Sequence, residues 1–219
     1  MRRARARAYA GMILDTLAAI PTAQLATFVA AGLALNVAPG QDVMFASACG
    51  LRGGPRAGAL AGFGVGLGVL VHVTLATAGL GAAMAAHPGA LTAVKWIGAA
   101  YLLWLAWSAW RDSGVAEGRA TPERGARLIA RGALSNLLNP KPVLFLLAFL
   151  PQFTSPAFGP VWHQFLGLGL IFAFTGTLVT MAYGIAAGLA GRALSARMGW
   201  LNRLAAVLFA GLALRLVTR

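Results

Sequence analysis

Two charged side chains lie inside stretches that are otherwise apolar. Asp42 follows the sequence Asn36-Val-Ala-Pro39-Gly40-Gln41 within an apolar run from about Ala23 to Ala48, and Lys141 sits in Asn136-Leu-Leu-Asn139-Pro140-Lys141-Pro142. A carboxylate can accept an ammonium group and a lysine can attract a carboxylate, so together they suit a zwitterion. Prolines 39 and 140 and Gly40 loosen the helix around them and free backbone donors and acceptors. The amides of Asn36, Gln41, Asn136 and Asn139 can donate or accept. A buried ion pair that merely stabilises a bundle is the competing reading of Asp42 and Lys141. His72, near the middle of the next apolar run, is an ionisable ring where one is costly; with Asp42 it is a candidate for proton coupling.

These residues need elements to hold them, and composition says which kind. The chain has 219 residues, of which 59% are hydrophobic and 11% charged, and its mean hydropathy is +0.75. That balance lies outside the range of soluble domains and reads as an all-α integral membrane protein. Apolar runs fall at about 23–49, 57–85, 91–110, 131–153, 161–190 and 204–218, and each can form a transmembrane helix. The first and the fourth carry the proline-containing interruptions. Such breaks are tolerated at membrane depth where they line a cavity.

Dividing the chain at its longest polar linker gives three spans on each side. Residues 1–22 then form an N-terminal basic extension, and residues 23–219 form a single transmembrane domain with a first repeat at 23–110, a linker at 111–130 and a second repeat at 131–219. Three spans is an odd number, so the repeats are expected to be inverted, with the first helix of each broken at its proline motif. Paired interruptions in inverted repeats point to a transport site near the bilayer midplane.

The net charge of +13 does not call for a nucleic-acid partner, because the basic residues cluster at the ends of apolar runs. Arg52 and Arg56, then Arg111, Arg119, Arg124, Arg127 and Arg131, then Arg192, Arg197 and Arg203 follow spans one, three and five. The loops after spans two and four contain no Lys or Arg, so the basic loops are expected to face the cytoplasm and anionic lipid. Arg2, Arg3, Arg5 and Arg7 oppose that orientation unless translation starts at Met12 or an extra segment precedes the first span. Lys95, with Trp96, Trp104, Trp107 and Trp110, suits an interfacial belt. Glycines at four-residue spacing, Gly58, Gly62 and Gly66, with Gly64 and Gly68 and later Gly184 and Gly188, let backbones approach, within one subunit or across a homodimer. The single Cys49 excludes an intrachain disulfide and a thiol pair for electron transfer. With one Asp, one His and one Cys in the first two spans, neither a metal-ligand cluster nor a nucleophile arrangement is legible, so no enzyme, metal or cofactor is expected.

The chain after Met12 resembles the LysE/RhtB family of bacterial amino-acid exporters. The residues that carry the resemblance are Ala38-Pro39-Gly40-Gln41-Asp42, the Gly-rich second span ending near Leu70-Val-His72, Lys95-Trp96-Ile-Gly98-Ala-Ala-Tyr101-Leu, and Asn136-Leu-Leu-Asn139-Pro140-Lys141. The resemblance implies six transmembrane helices in the bacterial inner membrane and export of amino acids or related small metabolites driven by the proton gradient. The family usually has a second proline where this chain has Gln41, and often an acidic residue near Val69. Export of another small solute or a metal cation, and a non-transporting membrane scaffold, remain as alternatives.

Overall fold

In the computed structural model the described residues are 11–86, scattered helical positions between 96 and 111, 124–190 and 198–218. They are helical throughout, with short turns and no strand among them. The elements are α1 (Gly11–Ala18), α2 (Thr22–Val37), α3 (Gln41–Ala86), α4 (Gly125–Leu137), α5 (Pro140–Phe149), α6 (Val161–Ala190) and α7 (Met198–Thr218). Two 3₁₀ turns, Leu150–Phe153 and Pro156–Phe158, join α5 to α6. Residues 1–10, most of the linker, His87, Lys95, Arg192 and Arg197 lie outside the described residues.

By length and composition, Gln41–Gly79 and Val161–Ala190 can each cross a membrane, with hydropathy 1.9. The bent pairs α1 with α2 (104°), and Gly125–Leu137 with Pro140–Phe153 (52°), bring the number to four.

The long helix α3 is not one rod. Asp42 and His72 both hydrogen-bond to Asn136, at 2.9 and 3.1 Å, although thirty residues of continuous helix would separate them by about 45 Å. The chain reverses at Gly54, whose φ of 78° and ψ of 180° are open to glycine alone. Pro55 then starts the second limb at a position where its missing N–H is harmless. The first limb is residues 41–53, and the second limb, 55–86, returns alongside it. A Cβ at Gly54 would touch nothing within 4 Å, so the cost of Gly54→Ala is conformational alone. We expect that variant to lose about 1–3 kcal/mol of stability, read as a lowered midpoint of thermal aggregation in detergent.

Glycine spacing is used inside the subunit. An added Cβ at Gly62 would lie 2.7 Å from the Met181 nitrogen, and one at Gly68 2.8 Å from the Ala133 carbonyl oxygen. Gly50 and Gly58, from opposite limbs, both press on the backbone of Gly184, and Gly188 meets Gly54 and Pro55. The second limb is thus gripped by α6 on one face and by α4 on another. An aromatic stack fills the space among α2, α5 and α6: Phe145 lies 4.6 Å from Phe149 and 5.0 Å from Phe172, and Phe28 meets Phe153 edge-on at 5.4 Å.

Several boundaries differ from expectation. The interruption expected over Asn36–Asp42 contracts to Ala38–Gly40, because an amide side chain does not unwind a helix whereas Pro39 holds Ala38 extended (φ −59°, ψ 117°). The second interruption contracts from Asn136–Pro142 to Leu138 and Asn139 for the same reason. Span four starts earlier, at Gly125, and span six at Met198. Residue 22 is not a packing boundary: Ile20 belongs to the core and Leu17 packs against it, Thr16 is buried, and the Thr16 hydroxyl lies 3.5 Å from Nδ1 of the buried His163.

Candidate functional site

The two breaks meet. Asn139 caps α5 by accepting the Lys141 backbone N–H at 3.0 Å, with Pro140 in the first turn, which leaves Lys141 at the start of a helix. The helix dipole disfavours a cation there, so local helix stability does not explain Lys141. Asp42, by contrast, stands in the first turn after the first break, where the dipole favours an anion.

Asp42 and Lys141 face each other across the joint without a hydrogen-bonded ion pair. Oδ2 of Asp42 accepts from the side-chain amides of Asn136 and Asn139, each at 2.9 Å, while Oδ1 is buried with no partner among the described residues. Lys141 Nζ donates to the Ala38 carbonyl at 2.9 Å and lies 5.4 Å from the centre of the Phe209 ring of α7. Pro39 makes that interaction possible, since it leaves the Ala38 carbonyl outside the regular ladder of the next helix. A Cβ at Gly40 would stand 3.4 Å from Nζ, so the absence of a side chain there lets the ammonium lie against the broken backbone. Of three ammonium donors, one is committed to protein.

Both charges line one cavity. Its space, about 30 Å³ for the centre of a water-sized sphere, holds roughly two waters and is too small for an amino acid. Asn36, Gly40, Asp42, Asn139 and Lys141 line it. The remaining expected site residues are placed around it. Asn136, fully buried, holds Asp42; Pro39 and Pro140 shape the breaks. Gln41 points elsewhere, donating to the Ser135 carbonyl at 3.0 Å from an exposed position. Gln41 is not among the residues that line the cavity: the first position of the new helix faces α4, and the second, Asp42, faces inward.

His72 is tied to the same residue as Asp42. A carbonyl can only accept, so the 3.1 Å contact to the Asn136 backbone oxygen places a proton on His72 Nε2, and the buried Nδ1 has no partner among the described residues. His72 and Asp42 engage different groups of Asn136, one the main-chain carbonyl and the other the side-chain amide, which fixes their relative position without forming a proton wire.

The apolar wall was not legible in sequence. Leu35, Val43, Val65, Val69 and Phe172 line the cavity, together with Gly176 and Thr180 of α6. Asn36 is held on this wall by Thr175 Oγ1 at 3.1 Å, and a Cβ at Gly176 would stand 2.9 Å from the Asn36 side-chain oxygen. The small polar residues of α6 were visible as a composition, but their register against the breaks was not.

The sequence profile of the LysE type translocator family matches residues 33–219. An uncharacterized membrane protein of Vibrio cholerae is 33% identical over 195 residues, covering 87% of this chain and 95% of the relative. The homoserine/homoserine lactone efflux protein of Salmonella typhi is 35% identical, covering 68% of this chain and 73% of the relative. The leucine efflux protein of Enterobacter sp. (strain 638) is 32% identical, covering 72% and 74%. No solved structure matches. With the family profile covering residues 33–219, well over half of the chain, the chain belongs to the LysE-type translocators and is a membrane transporter, not an enzyme.

Proposed function

We propose that this protein exports amino acids or related small metabolites across the bacterial inner membrane, with the substrate's ammonium group on Asp42 and its carboxylate on Lys141. The observation that carries this reading is the unmet valence of both charges: Asp42 Oδ1 has no partner, and Lys141 has donors to spare, beside one cavity. A purely structural pair gains little from burial unless its hydrogen bonds are complete. The names of the homoserine and leucine efflux relatives support amino acids as the cargo. A cation exporter fits less well, since Lys141 would repel its cargo and, among the described residues, no three His, Cys, Asp or Glu side chains converge.

In this reading the chain crosses the membrane six times, as two inverted repeats of three, with 22–53, 55–86, a span that includes the described helical positions between 96 and 111, 125–153, 161–190 and 198–218. The Gly54 reversal and the other basic loops face the cytoplasm. Asp42 is the group that exchanges substrate for a proton. Protonation would remove the charge that holds the ammonium and weaken the bonds from Asn136 and Asn139, and His72, anchored on the same Asn136, contributes a second titratable group beside it.

Counterflow in proteoliposomes tests this. Protein loaded with unlabelled amino acid should accumulate labelled amino acid from outside, and an imposed pH gradient should drive net movement. Absence of exchange with every amino acid tried would exclude the reading, and exchange insensitive to the pH gradient would remove the proton from it.

A further inference from the structure

One hydroxyl in the cavity departs from the habit of every other comparable threonine. In apolar helices a threonine hydroxyl usually bonds the carbonyl four residues back. Thr27, Thr74, Thr77, Thr175 and Thr177 all do so, at 2.7–2.9 Å. Thr180 is on the same helix as the last two and its residue is only 5% exposed, yet its hydroxyl has no hydrogen-bond partner among the described residues. It lines the cavity that holds Asp42 and Lys141. The oxygen is not one of the fully enclosed unpartnered atoms, so it is open to water and to a ligand group, and a ligand that displaces that water without replacing its hydrogen bond loses affinity.

Its position along α6 says which part of a ligand it meets. Gly176 packs on Asn36 at the level of the first break, and Gly184 is the point where both limbs of the α3 hairpin close on α6. Thr180 lies one turn, about 6 Å, beyond Gly176 toward that closure, so it forms the floor of the cavity. An amino acid held by its ammonium and carboxylate between Asp42 and Lys141 directs its side chain along the remaining wall. That wall is Val43, Val65, Val69 and Phe172, with Thr180 at its end, and it contains no further charge.

We infer that Thr180 is a specificity-determining residue that recognises a hydroxyl on the side chain of a compact, uncharged amino acid. This inference rests on the transport reading and narrows its substrate class. The valines and Phe172 limit the side chain to a few carbons and disfavour a charged one, since nothing there would compensate the charge. The Thr180 hydroxyl discriminates between substrates of equal shape: a substrate hydroxyl pairs with it, whereas a methyl in the same place leaves it unpaired.

Threonine and valine are the probes, because they differ by that exchange of hydroxyl for methyl. In counterflow with the full chain in proteoliposomes, wild type should favour threonine over valine. Thr180→Val should reduce the threonine-to-valine ratio about tenfold. Thr180→Ala, which adds no volume, should give the same loss, and Thr180→Ser, which keeps the hydroxyl, should retain the wild-type ratio. An unchanged ratio in the valine and alanine variants overturns the inference while leaving the transport reading intact. A wild type that exchanges neither threonine nor valine, but does exchange other amino acids, also overturns the inference alone. Failure to exchange any amino acid overturns both.

Discussion

Asp42→Asn is expected to reduce transport by about 100-fold or more while the protein remains folded in the membrane. The substitution preserves shape, and its side-chain oxygen can still accept from Asn136 and Asn139, which at present hold Oδ2 at 2.9 Å each. What it removes is the charge and the free capacity of Oδ1, the atom left without a partner. Truncating one member of a buried, charge-paired contact costs 2–5 kcal/mol or more, and each 1.4 kcal/mol is about a factor of ten. Counterflow rates compared at equal amounts of monodisperse protein measure the effect. Near-normal rates would remove Asp42 from the substrate site. The exchange Asp42→Lys with Lys141→Asp separates the two roles further: folding without transport supports a substrate role, whereas recovery of both would mark the pair as structural.

The largest effect on stability is expected at Gly184. A Cβ there would come within 2.5–2.8 Å of the Gly58 backbone, and backbone on the facing helix cannot move aside as a flexible side chain can. Gly50 presses on the same residue from the other limb, so relief in one direction is blocked by the second contact. Gly184→Val should cost about 3 kcal/mol or more and leave little monodisperse protein after extraction. Gly211→Ala is the matched control, because an added Cβ there has nothing within 4 Å. Fluorescence-detected size exclusion and thermal aggregation compare the two. Equal behaviour of both variants would mean that the Gly184 contact does not hold the hairpin on α6.

The helices themselves were legible because hydropathy is local: a long apolar run with basic ends needs no partner to be recognised as a membrane span. The breaks were legible for a similar reason, since Pro39 and Pro140 act on their own backbone. Their width was overestimated, because the polar residues Asn36, Asp42 and Asn136 beside the prolines were included in the interruptions, whereas each stays in a helix and its side chain bonds across to another element. The direction of Gln41 was not legible, because adjacent positions at a helix start point in directions that only the packing of α4 reveals.

Sequence by itself determined that this protein is helical and membrane-embedded, that it carries one carboxylate and one ammonium beside proline breaks, and which family it resembles. Tertiary structure decided that the two breaks touch, through Lys141 and the Ala38 carbonyl and through Asn139 and Asp42. It also decided that Asp42 and Lys141 hold other groups rather than each other, and that Thr180 lines the same cavity with no hydrogen bond from its hydroxyl among the described residues, unlike Thr175 and Thr177. The physical reason is range. Proline, glycine and hydropathy act on the chain within a few residues, whereas the partner of a buried polar atom comes from a segment about a hundred positions away.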